Sequence, residues 1–125
     1  MTKVFIPLAA LAAIAVPVAA HHSFSMFDMK KEMTLTGEVK EFQWTNPHIW
    51  VQLMAPGADG KVVEWSIEGN SPSTLSRTGW SKRSVAPGDK VSIVIHPLRD
   101  GQNGGSLVKI VREDGTVVGE NKVGP

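Results

Sequence analysis

Cysteine is absent from this 125-residue chain, so no disulfide staples it and no thiolate can act as nucleophile or metal ligand. Net charge is all but absent as well, at +1 over the full chain. The 13 basic residues less Lys3, which falls in the leader described below, leave 12 against 12 acidic ones. A neutral chain with interspersed signs lacks the electrostatic footprint of a nucleic-acid or anionic-lipid binder, and nucleic acid is therefore excluded from the expected partners. No Ser-His-Asp order, phosphate-cradling glycine loop or zinc-binding H-E-x-x-H occurs, so binding is expected before catalysis. The one long apolar run, Val4 to Ala20, falls short of the roughly 20 residues that span a bilayer.

That run has the features of a secretory signal peptide. Lys3 precedes it, Pro17 breaks it, and Val18-Ala19-Ala20 supplies small residues for cleavage. Cleavage after Ala20 leaves a periplasmic or secreted chain of 105 residues beginning at His21, with no membrane span. Residues 21–32 then read as an N-terminal arm. Phe24, Met26 and Phe27 are too apolar for a free tail and are expected to pack on the body.

From residue 33 to 118 the pattern is that of strands. Met33, Leu35, Gly37 and Val39 alternate with polar residues, and the apolar phase then slips to Phe42 and Trp44. Such a slip inside one strand predicts a β-bulge and a bent first strand. Asn46-Pro47 turns the chain. Ile49, Val51 and Leu53 point inward on a second strand, and Val63, Trp65 and Ile67 on a third, beyond the turn Pro56 to Gly60. Ser71 as cap, Pro72 at the first helical position and Gly79 as stop predict a short helix plugged by Leu75 and Trp80. Lys90 to His96 is a fourth strand with Val91, Ile93 and Ile95 inward, and Ser106 to Arg112 is a fifth. Asp114-Gly115 leads to a short sixth, Thr116–Val118, and residues 119–125 are expected to fray. Three strands, a helix, then two strands is the order of the OB-fold, so the fold class is all-β, a small five-stranded Greek-key barrel with its helix between strands three and four.

Two sets of residues carry candidate chemistry. Cleavage would free the α-amine of His21, and that amine with Nδ1 of the same ring can chelate one metal. A second imidazole completes an all-nitrogen set of the kind that favours Cu(II). At this one residue the arrangement resembles the histidine brace of copper-dependent polysaccharide oxygenases. His96 ends strand four, antiparallel beside strand one, and is expected to lie nearer the arm than His48, unless the arm folds back along the sheet. His22 and His48 are the other candidate ligands. The second set is a face on strands two and three. If the outward residues coincide, His48 lies opposite Glu68, Trp50 opposite Ser66 and Gln52 opposite Glu64, on the side OB-folds use for ligands. Trp44, Trp65 and Trp80 read as core, and Trp50 as exposed. Arg99 either clamps an anion or pairs with Asp100 or Glu120.

As a set, His21-His22-Ser23-Phe24, Trp44-Thr45-Asn46-Pro47-His48, Ser71-Pro72 with Arg77-Thr78-Gly79-Trp80, and His96-Pro97-Leu98-Arg99-Asp100-Gly101 resemble an exported proteobacterial family of unknown function. The resemblance spans the whole mature chain and implies no activity. Two functional readings follow from the residues. One is carriage or sequestration of copper, or of another divalent transition metal, through His21 and His96. The other is a non-catalytic envelope binding module that takes a protein or a small cationic ligand on the Trp50/His48/Glu64/Glu68 face.

Overall fold

The computed structural model describes residues 24–122. The leader 1–20, His21 and His22 lie outside the described residues.

Strand β1, Met33–Gln43, is the axis of the fold because it belongs to two sides of it. Its first half pairs with β4, from Met33↔Ile95 to Glu38↔Lys90, and its second half pairs with β2, from Glu38↔Met54 to Gln43↔Trp50. Between Val39 and Glu41 the register shifts, and this is the bulge that the phase slip predicts. Before it Leu35 and Val39 face the core. After it Phe42 and Trp44 pack against the same core, their rings edge to face at 6.0 Å. At Gly37, where β1 crosses from one partner to the other, any side chain would run into the Met54 carbonyl.

Strands β2, Trp50–Pro56, and β3, Val62–Glu68, form a hairpin closed by residues 57–61, with Gly57 N–H donating to the Lys61 carbonyl at 2.8 Å. Ile49, Val51, Leu53 and Ile67 are completely buried and Trp65 nearly so, as their alternation predicts. Helix α1, Pro72–Ser76, is shorter than expected. The Ser71 hydroxyl accepts from Thr74 N–H at 3.2 Å, and the chain unwinds through a turn to Gly79 at φ +92. Leu75 and Trp80 then enter the core.

Strands β4, Lys90–Pro97, and β5, Gly104–Arg112, pair antiparallel, and β5 closes the barrel by pairing parallel with β3 from Ser66↔Gly104 to Glu68↔Ser106. The circuit β1-β2-β3-β5-β4 and back to β1 is a closed five-stranded mixed barrel with one short helix, an OB-type fold. Strand β6, Val117–Glu120, pairs with β5 outside that circuit.

One expectation needs correction here. The chain beyond Val118 does not fray at once. Asn121 is 5% exposed; its side-chain oxygen accepts from Asn70 N–H at 2.7 Å and its amide donates to the Leu107 carbonyl at 2.9 Å. The signal was poor because asparagine reads as turn chemistry, while its use here joins β3 and β5 through atoms far apart in sequence.

Candidate functional site

The site is built where the Asn46-Pro47 turn delivers the chain into β2. Thr45 Oγ1 donates to the His48 carbonyl at 3.0 Å. Ile49 N–H donates to Asn70 O at 3.1 Å, and Gly69 N–H donates to Ile49 O at 3.0 Å, so the turn is zipped to the end of β3. The next pair in register is Trp50↔Glu68. His48, two residues before Trp50, reaches the same face, and its Nδ1 lies 2.7 Å from Glu68 Oε1. The Glu68 side chain is 9% exposed and that of His48 31%. An ionised carboxylate only accepts, so Nδ1 carries the proton of this bond. An imidazole donor is what makes burial of that carboxylate tolerable.

The remainder of the face departs from the expected pairing. The register runs Trp50↔Glu68, Gln52↔Ser66 and Met54↔Glu64, two residues from the alignment expected from sequence. Hairpin registers follow turn length, and five turn residues place Pro56 against Val62. The shift keeps each side chain on its face but moves Glu64 away from Gln52. Glu64 instead takes Lys40 Nζ at 2.8 Å, and this hydrogen bond, then the carboxylate charge, raises the Lys40 ammonium above its ordinary 10.5. Gln52 donates to Gln43 at 3.4 Å. Glu64 thus belongs to an exposed ion pair, apart from His48 and Glu68. Trp50 is half-buried rather than exposed.

The arm explains that burial. Phe27 is 6% exposed and forms a bridge with Leu98. Asp28 N–H donates to Pro97 O at 2.8 Å and Arg99 N–H to Met26 O at 3.0 Å, so the arm runs antiparallel to residues 97–99. Arg99 Nε adds a bond to Ser25 O at 3.0 Å. Arg99 therefore clasps the arm. His96 stands beside the arm's root, with Nδ1 2.8 Å from Lys31 O, and the chain travels away from it toward Ser25. There Met26 and Phe27 share a cavity of about 140 Å³ with Trp50, Glu68, Leu98 and Asn103. Sequence reading had the arm packed on the body but missed Met26, Phe27 and Asn103 as walls of the site. Their apolarity was the available signal, and it did not say which surface they would cover.

A larger groove of about 500 Å³ runs over Thr36, Lys90, Ser92, Arg112 and Glu113, mixes both charges, and holds none of the predicted site residues. Among the described residues no group of three or more histidine and carboxylate side chains could hold a metal.

Residues 9–108 match the family described as Family of unknown function (DUF6152). The chain belongs to that family. The matched stretch of this DUF6152 chain takes in the turn, His48, Trp50, Glu68, His96 and Arg99. No curated protein matches it. Among solved structures it is similar to the mitochondrial single-stranded DNA binding protein Rim1 from S. cerevisiae, at 13% identity and a TM-score of 0.45, over 74% of this chain and 97% of that one. The exclusion of nucleic acid drawn from neutral charge is accordingly withdrawn, that protein being described as binding single-stranded DNA. A likeness this distant carries no activity to the DUF6152 chain.

Proposed function

We propose that this chain is exported, and that its mature N-terminus binds copper or another divalent transition metal through His21 together with His48. The role is carriage or sequestration, in the periplasm or outside the cell. One observation carries the choice of His48 over His96: the arm and Glu68, the partner of His48, wall the same cavity, while His96 is at the arm's root. His21 is four residues from Ser25, a span of at most about 14 Å for an extended chain. An amine, the ring nitrogen beside it and a second imidazole form a tetragonal nitrogen set suited to Cu(II). His22 is the further candidate ligand on the arm. Calorimetric titration with Cu(II) of protein that begins at His21 tests the reading. Affinity should fall at least about tenfold when one residue is added before His21, and likewise for His48→Ala. Equal affinity in all three proteins rejects it.

The cavity itself favours a second reading, a non-catalytic envelope module for a protein or small cationic ligand. Trp50 presents an indole wall beside the Glu68 carboxylate, a pairing suited to a cation. Under this reading Trp50→Ala abolishes ligand binding and leaves Cu(II) affinity unchanged.

A further inference from the structure

We infer that the cavity between the arm and β2 receives a methylated ammonium group, the chemistry shared by quaternary solutes and choline lipid headgroups. This rests on the second reading above, to which it gives a ligand class, and it takes nothing from metal binding. Size sets the first limit. The cavity measures about 140 Å³, and an engineered cavity of about 150 Å³ takes up benzene. A small headgroup fits such a space, and a peptide or a nucleotide does not. The walls set the second limit. Trp50 and Phe27 bring aromatic rings, Met26 and Leu98 bring apolar side chains, and Glu68 is the one charged group in the lining among the described residues. These walls are in place before any ligand arrives. Trp50 is paired with Glu68 in the ladder, and Phe27 is 6% exposed and bridged to Leu98.

Electrostatics fixes the sign of the ligand. A carboxylate only 9% exposed acts through a low-dielectric wall, and the face of an aromatic ring is negative. Both favour a cation. Hydrogen bonding fixes its kind. Glu68 is already engaged, since it accepts from His48 Nδ1 at 2.7 Å, and no group of three or more described histidine and carboxylate side chains could hold a metal. A primary ammonium is strongly hydrated and needs acceptors for its N–H bonds. A quaternary ammonium donates no hydrogen bond and makes no claim on the lone pairs of Glu68. It needs negative charge and aromatic faces at contact distance, and its methyl groups suit the apolar walls. The larger groove makes the opposite case, because a cation there would meet Lys90 and Arg112.

Calorimetric titration of the purified protein with choline chloride tests this, at about pH 8 where imidazoles are ordinarily neutral. The uncharged carbon isostere of choline, dimethylbutanol, is the control. Choline should bind, and the alcohol should bind at least about tenfold more weakly. Trp50→Phe keeps an aromatic face and should hold the affinity within about threefold, whereas Trp50→Leu should lower it about tenfold. Glu68→Gln keeps an acceptor for His48 but removes the charge, and should also lower it about tenfold. Phosphatidylcholine vesicles separate the two sources: co-sedimentation that free choline competes away identifies a lipid headgroup, and choline binding without it identifies a solute. Equal binding of choline and the alcohol would make the cavity an apolar one and overturn both the inference and the cationic reading of the face. Methylammonium binding as tightly as choline would overturn the methylated class and leave that reading standing. Failure of choline to bind also overturns the inference, while a protein ligand on the Trp50 face would remain. Should Trp50→Leu fail to fold, the isostere comparison and Glu68→Gln still decide.

Discussion

A methyl group on Gly105 would lie 2.5 Å from the His96 carbonyl oxygen and 2.7 Å from the end of Ile95. Its neighbour Gly104 has the Ser66 carbonyl at 2.7 Å from the same imagined position. Side chains are excluded here because β3, β4 and β5 converge where the barrel closes. Gly105→Ala is therefore expected to cost about 1–3 kcal/mol, the usual penalty for overpacking, as a lower urea midpoint with unchanged slope. Lys40 provides a pH-dependent case. Its pKa is raised by Glu64, so the pair's contribution is complete below the ordinary lysine value of 10.5 and disappears as pH rises through the higher folded value. Glu64→Gln should return the Lys40 titration, followed by NMR, toward 10.5. The thermal midpoint should scarcely move, because both side chains are exposed. Neither residue announces its role in the sequence. The two glycines read as loop, and Glu64 reads as part of a ligand face, since the register that separates it from Gln52 is a property of the hairpin.

The arm is the element whose placement matters most for function. Three backbone or side-chain bonds to residues 97–99 and the buried Phe27 ring hold it along the end of β4. Arg99→Ala removes the Nε bond to Ser25 and should loosen the tip alone. Hydrogen exchange at the residue 99 amide should quicken, while the thermal midpoint of the barrel shifts little. If the arm carries the metal-binding terminus, the same variant should weaken Cu(II) binding. A full loss of barrel stability would contradict this account, since Arg99 would then be part of the core fold. The bent strand β1 was readable in advance, because a bulge leaves a phase slip in the apolar pattern itself. The docking of the arm was only half readable: hydrophobicity says that Phe27 must be covered, and geometry says by what.

At the scale of the whole molecule, closure depends on contacts between residues far apart in the chain. Asn121 joins Asn70 to Leu107, although β6 stands outside the five-stranded circuit. Asn121→Ala would strip the half-buried Asn70 N–H and the buried Leu107 carbonyl of these bonds, at about 1–3 kcal/mol for the buried group. Chemical denaturation should show this as a fall in stability rather than a local change. With no cysteine in the chain, addition of a reductant should leave the thermal midpoint where it was. Packing and backbone pairing carry the stability.

By itself the sequence determined which side chains face inward, where the first strand bends, and that three strands, a helix and two strands would close on one core. These are local properties, set by alternation with period two and by turn residues, and they survive any choice of partner strand. Tertiary structure alone decided that the arm meets the Trp50 face, with Trp50 and Glu68 in one cavity beside it, and that His96 and Arg99 anchor the arm. Those meetings depend on a five-residue turn that sets the β2–β3 register and on a glycine pair that lets β5 reach β3. A shift of two residues leaves every face unchanged yet exchanges every neighbour, so no periodicity in the chain records it.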